Sequence, residues 1–162
     1  MRTIAIGLLA LALGHGGAAA QTADEEARIL RDFQQSVADY AERHRSLDMF
    51  SEAVNATTAA PRMFTPPVAM VFRQLIARSL AERDGVAAIN GAGVHAHPVV
   101  LERFPANWLH DFPRVLQDTL PPLPEPLEYR LIGHDLVVRD KEGDVIVGVV
   151  RDAVGSALTV IR

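Results

Sequence analysis

The sequence contains no cysteine among its 162 residues. This excludes disulfide bonds, iron–sulfur clusters, thiolate zinc sites and a cysteine nucleophile. An excess of positive charge is also missing, because 16 lysines and arginines stand against 20 aspartates and glutamates, for a formal net charge of -4. Proteins that bind nucleic acids usually carry a basic surface that displaces counterions, so the charge balance argues against that class.

Several familiar catalytic motifs are absent as well. The chain has no G-x-S-x-G, HExxH or Walker sequence, and Gly91-Ala92-Gly93 lacks the third glycine of a dinucleotide fingerprint. The composition itself is ordinary, with 49% hydrophobic, 22% charged and 6% aromatic residues. Collagen-like, mucin-like and wholly disordered chains are thereby excluded, and the length predicts about one domain.

Residues 1–20 have the pattern of a secretory signal peptide. One charge, at Arg2, precedes a short apolar stretch from Ile4 to Leu13, and the small residues Ala18–Ala20 suit signal peptidase. Ten apolar residues are too few to span a bilayer, which needs about 20. We therefore expect cleavage before a single domain of residues 21–162, and a periplasmic or secreted location in a bacterium. The lack of cysteine fits a bacterial periplasm.

Two helices are predicted in the first half of this domain. Thr22–Glu25 is a candidate capping box, and a helix from about 23 to 47 would carry one apolar stripe. This stripe includes Tyr40 and His44, and a buried, hydrogen-bonded histidine is favoured there over a catalytic base. Thr65-Pro66-Pro67 is typical of the start of a second helix, which Gly85 would end.

The C-terminal part predicts a three-stranded antiparallel β-meander. Residues 127–132, 135–139 and 145–150 form the strands, separated by polar turns, and the proline-rich segment 120–126 leads into them as an extended connector. The expected fold class is α+β, with two long amphipathic helices and some short ones packed on the meander. The sheet face expected against the helices comprises Leu127, Tyr129, Leu131, Leu136, Val138, Val145, Val147 and Val149.

Residues 86–126 are less regular. Phe104, Trp108 and Phe112 lie four apart and would share one face, as core residues or as a platform for ligand stacking. Asp140, Glu142 and Asp144 flank Gly143 in part of a calcium-loop pattern, but the late bidentate glutamate of that loop is missing. A polar hairpin turn accounts for these three acidic residues.

The stretch from Leu120 to Asp140, with the pattern LPPLPxxLEYRxxGxDLVxxD, resembles the C-terminal region of a family of exported bacterial proteins that has no assigned activity. Phe64–Arg73 and Val37–Arg45 are similar to its two helical segments. The resemblance covers most of the domain. It implies a signal peptide and an exported location, and it implies no particular chemistry.

Two function classes remain open. The first is a small soluble periplasmic protein without catalysis or cofactor, which acts through a protein or envelope partner; the hydrophobic meander edge and the proline connector are its first candidate surfaces. The second is a metal-dependent hydrolase. His95 and His97 would point to the same side of an extended segment and bind Zn²⁺, with His110 and Asp111 completing the site. Binding of a small apolar ligand between helices and sheet is a third possibility.

Overall fold

The protein has an α+β fold, as the sequence predicts. The computed structural model describes residues 16–48, 62–82, 97–105 and 111–155. Their order along the chain is helices α1 (Gly16–Asp48), α2 (Pro66–Glu82) and α3 (Arg114–Gln117), then strands β1 (Leu127–Ile132), β2 (Asp135–Asp140) and β3 (Val145–Val150). Within these ranges, no helix has the length and apolar character needed to cross a membrane.

Helix α1 begins earlier than the capping box indicates. It starts at Gly16, so Thr22 lies inside the helix and is not its N-terminal cap. Alanine is the strongest helix former, and Ala18–Ala20 extend the helix through the expected cleavage region. Glu25, the expected partner of the cap, instead pairs with Arg28 one turn later, with 3.0 Å between the arginine Nε and Glu25 Oε2.

Helix α2 begins as predicted, with two prolines in its first turn. The N–H of Ala69 donates to the carbonyl of Thr65 at 2.9 Å, and the prolines lose nothing there because first-turn N–H groups have no helical partner. Phe72 on this helix is fully buried against Phe33 of α1 and Phe64, with ring centroids 4.8 and 5.1 Å away. These three rings join the two helices in the core.

The sheet is an antiparallel meander in the order β1-β2-β3. Gly133, with φ of 59°, occupies the first position of the two-residue turn between β1 and β2, where a positive φ favours glycine. A β-bulge shifts the register between β2 and β3 after Val138. Because a bulge reverses the alternation of side chains, Val149 packs on the outer face and Val150 faces the helices. The prediction that Val149 faces the helices is wrong for this reason.

The outer face of the sheet has its own small core. Phe104 covers Ile132, Val137 and Ile146, all four at most 3% exposed. Phe112 packs instead with the cluster on the helical side. The aromatic residues at 104 and 112 thus lie on opposite sides of the sheet and do not share one face; position 108 is outside the described residues. Both serve the core.

The segment 97–105 also closes the free edge of β3. Leu101 donates to the carbonyl of Ile146 at 2.7 Å, and the N–H of Ile146 donates to the carbonyl of Glu102 at 2.9 Å. Phe104 donates to Asp144 at 2.8 Å. The segment therefore satisfies the backbone along the first half of β3.

Candidate functional site

A groove of about 700 Å³ runs along the first part of β1. Four consecutive strand residues, 127–130, line it. Successive side chains of a strand point to opposite faces, so a cavity that touches all four must open onto the edge of the strand. The facing wall is made by α3 and the proline connector. The other lining residues are Asp111, Phe112, Arg114, Gln117, Leu120, Pro121, Pro122, Leu123, Glu125 and Lys141.

The hydrogen bonds between β1 and β2 determine which backbone groups of β1 point towards this edge. Lys141 donates to the carbonyl of Pro126 at 3.1 Å, so this pair, just before the strand, is a hydrogen-bonded one. Bonded and non-bonded pairs alternate in an antiparallel ladder, so Glu128 and Arg130 bond to β2. Residues 127, 129 and 131 therefore direct their N–H and C=O groups away from β2, towards the side of the strand where the groove lies.

Leu127 agrees with this assignment, because its N–H donates at 2.9 Å to Pro124 in the connector rather than to β2. For the N–H groups of Tyr129 and Leu131, the described residues provide no backbone acceptor outside the sheet. Within the part of the chain that the structure describes, the edge of β1 therefore has no backbone partner from residue 129 onward.

The connector wall is fixed to the body of the protein. The Tyr129 hydroxyl donates to the carbonyl of Pro121 at 2.9 Å, and the Tyr129 ring stacks on Phe112 with centroids 6.0 Å apart. Burial raises the pKa of Tyr129, so its hydroxyl stays a neutral donor. Behind α3, the buried Ser79 of α2 bonds to Thr119 and to the carbonyl of Val115. The groove is thus preformed on both sides.

Most charged groups of the groove are already paired. Glu128 accepts from Arg130 and from Arg139 of the neighbouring strand, the latter at 2.9 Å. Partial burial alone would raise the pKa of Glu128, but the hydrogen bonds from the two arginines outweigh it and lower that pKa. Lys141 pairs with Glu125 at 2.5 Å. The bond from Arg139 to Glu128 joins β2 to β1, whereas Arg130 lies on the same strand as Glu128.

A second polar cluster joins α1 to the turn between β2 and β3. Asp140, 1% exposed, accepts on Oδ2 from the Tyr40 hydroxyl at 2.7 Å, and His44 Nε2 lies 3.1 Å from the same oxygen. Its Oδ1 accepts the backbone N–H groups of Glu142 and Gly143, each at 3.0 Å. Burial, followed by the bond to Asp140, raises the pKa of Tyr40. The position of His44 Nε2 agrees with a hydrogen-bonded histidine, although the side chain is partly and not fully buried.

The proposed metal ligands are only partly described. His95 and His110 lie outside the described residues, while His97 and Asp111 are both exposed. Among the residues that the structure does describe, no group of three or more His, Asp or Glu side chains is placed to hold a metal ion. The zinc site stays a hypothesis. Asp111 is brought to the groove instead.

The sequence identified both walls of the groove but not that they face each other. The connector and the meander edge were separate candidate surfaces, and the signal that joins them is the distance of eight residues from Pro121 to Tyr129, which brings the chain back on itself. The role of Asp140 was missed, since the turn residues around Gly143 gave no sign that one carboxylate is buried beneath α1.

Neither a protein-family model, nor a curated protein, nor a solved structure matches this chain. The resemblance to an exported family therefore stays an expectation from the sequence.

Proposed function

We propose that the protein is an exported, non-catalytic binding protein that holds a partner polypeptide in the groove between β1 and the proline connector. The observation that carries this proposal is a preformed groove bordered by an open strand edge. A volume of about 700 Å³ lies within the usual range for binding pockets. Open edges of sheets are the sites where extended chains pair with proteins.

The lining of the groove favours binding over catalysis. None of its described residues is a serine, threonine, cysteine or histidine, the side chains that most often act as nucleophile or general base. Of its three carboxylates, Glu128 is held by two arginines and Glu125 pairs with Lys141, while its single hydroxyl, on Tyr129, is bonded to Pro121. Such groups orient and hold a ligand.

A photo-crosslinking amino acid at position 122 tests the site in the native host. Pro122 is an exposed lining residue, and Gln34, an exposed residue of α1 that does not line the groove, is the control position. We expect a discrete adduct from position 122 and none from 34, with the partner identified by mass spectrometry. Equal adducts from both positions would contradict the proposal.

The purified partner then allows a matched comparison of two glutamine substitutions. Gln117→Trp fills the groove from an exposed position of α3, and Gln34→Trp makes the same change elsewhere on a helix. The first is expected to weaken binding about tenfold, a loss of about 1.4 kcal/mol, and the second to leave it unchanged. If both variants bind the partner as tightly as wild type, the groove is not the binding site.

Export has a separate test. The intact mass of the protein isolated from its native host should correspond to residues 21–162 and should be recovered from the periplasm or medium. A cytoplasmic protein that retains residues 1–20 would contradict this part of the proposal and leave the groove untouched.

A further inference from the structure

We infer that the groove takes an extended segment of the partner as a fourth strand beside β1, and that this segment alternates apolar and polar side chains. The inference rests on the proposed function, since it names the chemistry of the ligand for the same groove. It follows from two features of β1: the direction of its backbone groups and the difference between its two faces.

The backbone groups at the edge of β1 are arranged to pair with another β-strand. Tyr129 and Leu131 each direct an N–H and a C=O away from β2, and residues two apart present these groups at the repeat of a β-ladder. Two donors and two acceptors in this order match another extended backbone. A compact small molecule would satisfy fewer of them. The occupant is therefore a polypeptide segment.

The side of the groove towards the helices offers apolar contacts beside the polar lining residues of α3. A strand residue shares its face with the residue it pairs with, so side chains paired with Tyr129 and Leu131 would point to the helical side. There they would meet Phe112 and Leu123, both partly buried against the main core. Apolar side chains at every second position of the segment would bury further surface at this wall.

The other side of the groove is polar and its charges are balanced. Side chains paired with Glu128 and Arg130 would face the outer surface, where Glu128 bonds to Arg130 and to Arg139. Arg139 in turn bonds to Asp144. A buried apolar residue gains little beside such a network, and an added charge would disturb it. Small polar residues fit these positions best.

A second copy of the chain is a poorer occupant. In such a dimer each β1 would bring its own connector and α3, because Pro121 is bonded to Tyr129. These two walls would meet in the space that one groove provides. A free segment of a partner carries no such wall, so the groove suits it better.

The experiment selects ligands from a displayed library of random twelve-residue peptides on the immobilised wild-type protein, with Gln117→Trp protein for counter-selection. The enriched peptides should alternate apolar and small polar residues over at least five positions. A synthetic version of the most enriched peptide is then compared with a block-permuted peptide of the same composition, which we expect to bind about tenfold more weakly.

Hydrogen exchange on the protein supplies the decisive readout. The selected peptide should slow exchange of the Tyr129 and Leu131 amides about tenfold or more and leave Arg130, whose N–H already lies in the ladder, unchanged. N-methylation of every second peptide amide should abolish binding when the methylated amides are those that bond to β1. It should preserve binding when the other set of amides is methylated.

The outcomes distinguish a failure of the inference from a failure of the proposed function. Enriched peptides without alternation, or without protection of these amides, would overturn the inference and leave the groove as a binding site. Absence of any peptide that prefers wild type to Gln117→Trp would count against both. A concentration-dependent dimer that protects Tyr129 and Leu131 without peptide would assign the edge to a second copy and overturn the inference.

Discussion

The two edges of the sheet are treated in opposite ways. At β3, the segment 97–105 supplies three backbone hydrogen bonds to residues 144–146 and places Phe104 over the outer core. At β1, one N–H, that of Leu127, is satisfied by the connector, and the chain then moves away to leave a groove. Exposed strand edges invite unwanted pairing, and proteins usually cover them. This difference between the two edges is what supports the proposal that the edge of β1 binds a ligand.

Phe104→Ala is expected to have the largest effect, because it removes the side chain that holds the covering segment on β3. Phe104 is 1% exposed and lies 4.8 Å from the Arg139 guanidinium. The free energy of unfolding should fall by about 3–5 kcal/mol, measured by chemical denaturation. Exchange of the Ile146 amide should accelerate while that of Lys141 does not. Phe112→Ala, on the groove side, is the control that should leave Ile146 protected.

Asp140→Asn tests the turn that serves both edges. Its carboxylate holds α1 and the turn, from which Lys141 bonds towards β1 and Asp144 towards Phe104. Replacing a buried carboxylate that accepts four donors should cost about 1.5–3 kcal/mol and accelerate exchange at both Lys141 and Phe104. The control Tyr40→Phe removes one donor and should cost about 1 kcal/mol. An effect at one edge alone would show that the turn does not join them.

Glu128→Gln tests the charged network beside the edge of β1 through the pH dependence of stability. The folded protein lowers the pKa of Glu128 from its ordinary value of 4.5, so the ionised form stabilises the fold fully above about pH 4.5, and this contribution is lost as pH falls through the lower folded pKa. Wild type should exceed Glu128→Gln in stability by under about 1 kcal/mol at pH 7, and the gap should close in acid. Gln34→Ala, which changes no titratable group, is the control whose difference from wild type should not vary with pH.

The smallest effect needs no substitution. In the protein alone, the Leu131 amide should exchange at least about tenfold faster than the Ile146 amide, because the latter donates to Glu102 and the former points away from the sheet. Comparable protection at both amides would mean that the edge of β1 is already covered.

Local sequence signals predicted the strands well. The prolines before Leu127, the Gly133 turn and the alternation of apolar residues placed β1 and β3 at their observed bounds, and β2 within one residue. The sequence did not predict which side chains of β3 face the helices after the bulge. A run of valines has the same pattern whether or not one residue is inserted into the strand. Gly148 is a local feature that accompanies the bulge, since a Cβ at this position would lie 2.9 Å from the Phe64 ring.

The covering segment and the groove depend on tertiary contacts that no short window contains. The spacing of Phe104 and Phe112 predicts one shared face, whereas the backbone bonds of segment 97–105 to β3 place Phe104 on the outer face of the sheet. Likewise the sequence identified the connector and the strand edge separately, and the hydrogen bond from Tyr129 to Pro121 sets them opposite each other. The buried Asp140 has the same cause, since its partners Tyr40 and His44 lie on α1.

The contact of Tyr40 with Asp140 joins residues 100 positions apart. In a chain that emerges from its amino terminus, the last turns of α1 are made long before their carboxylate exists. Closing so large a loop carries an entropic cost, so we expect this contact to form late in folding. The last turns of α1 would then gain their bond to Asp140 only after the carboxyl-terminal hairpin has been made.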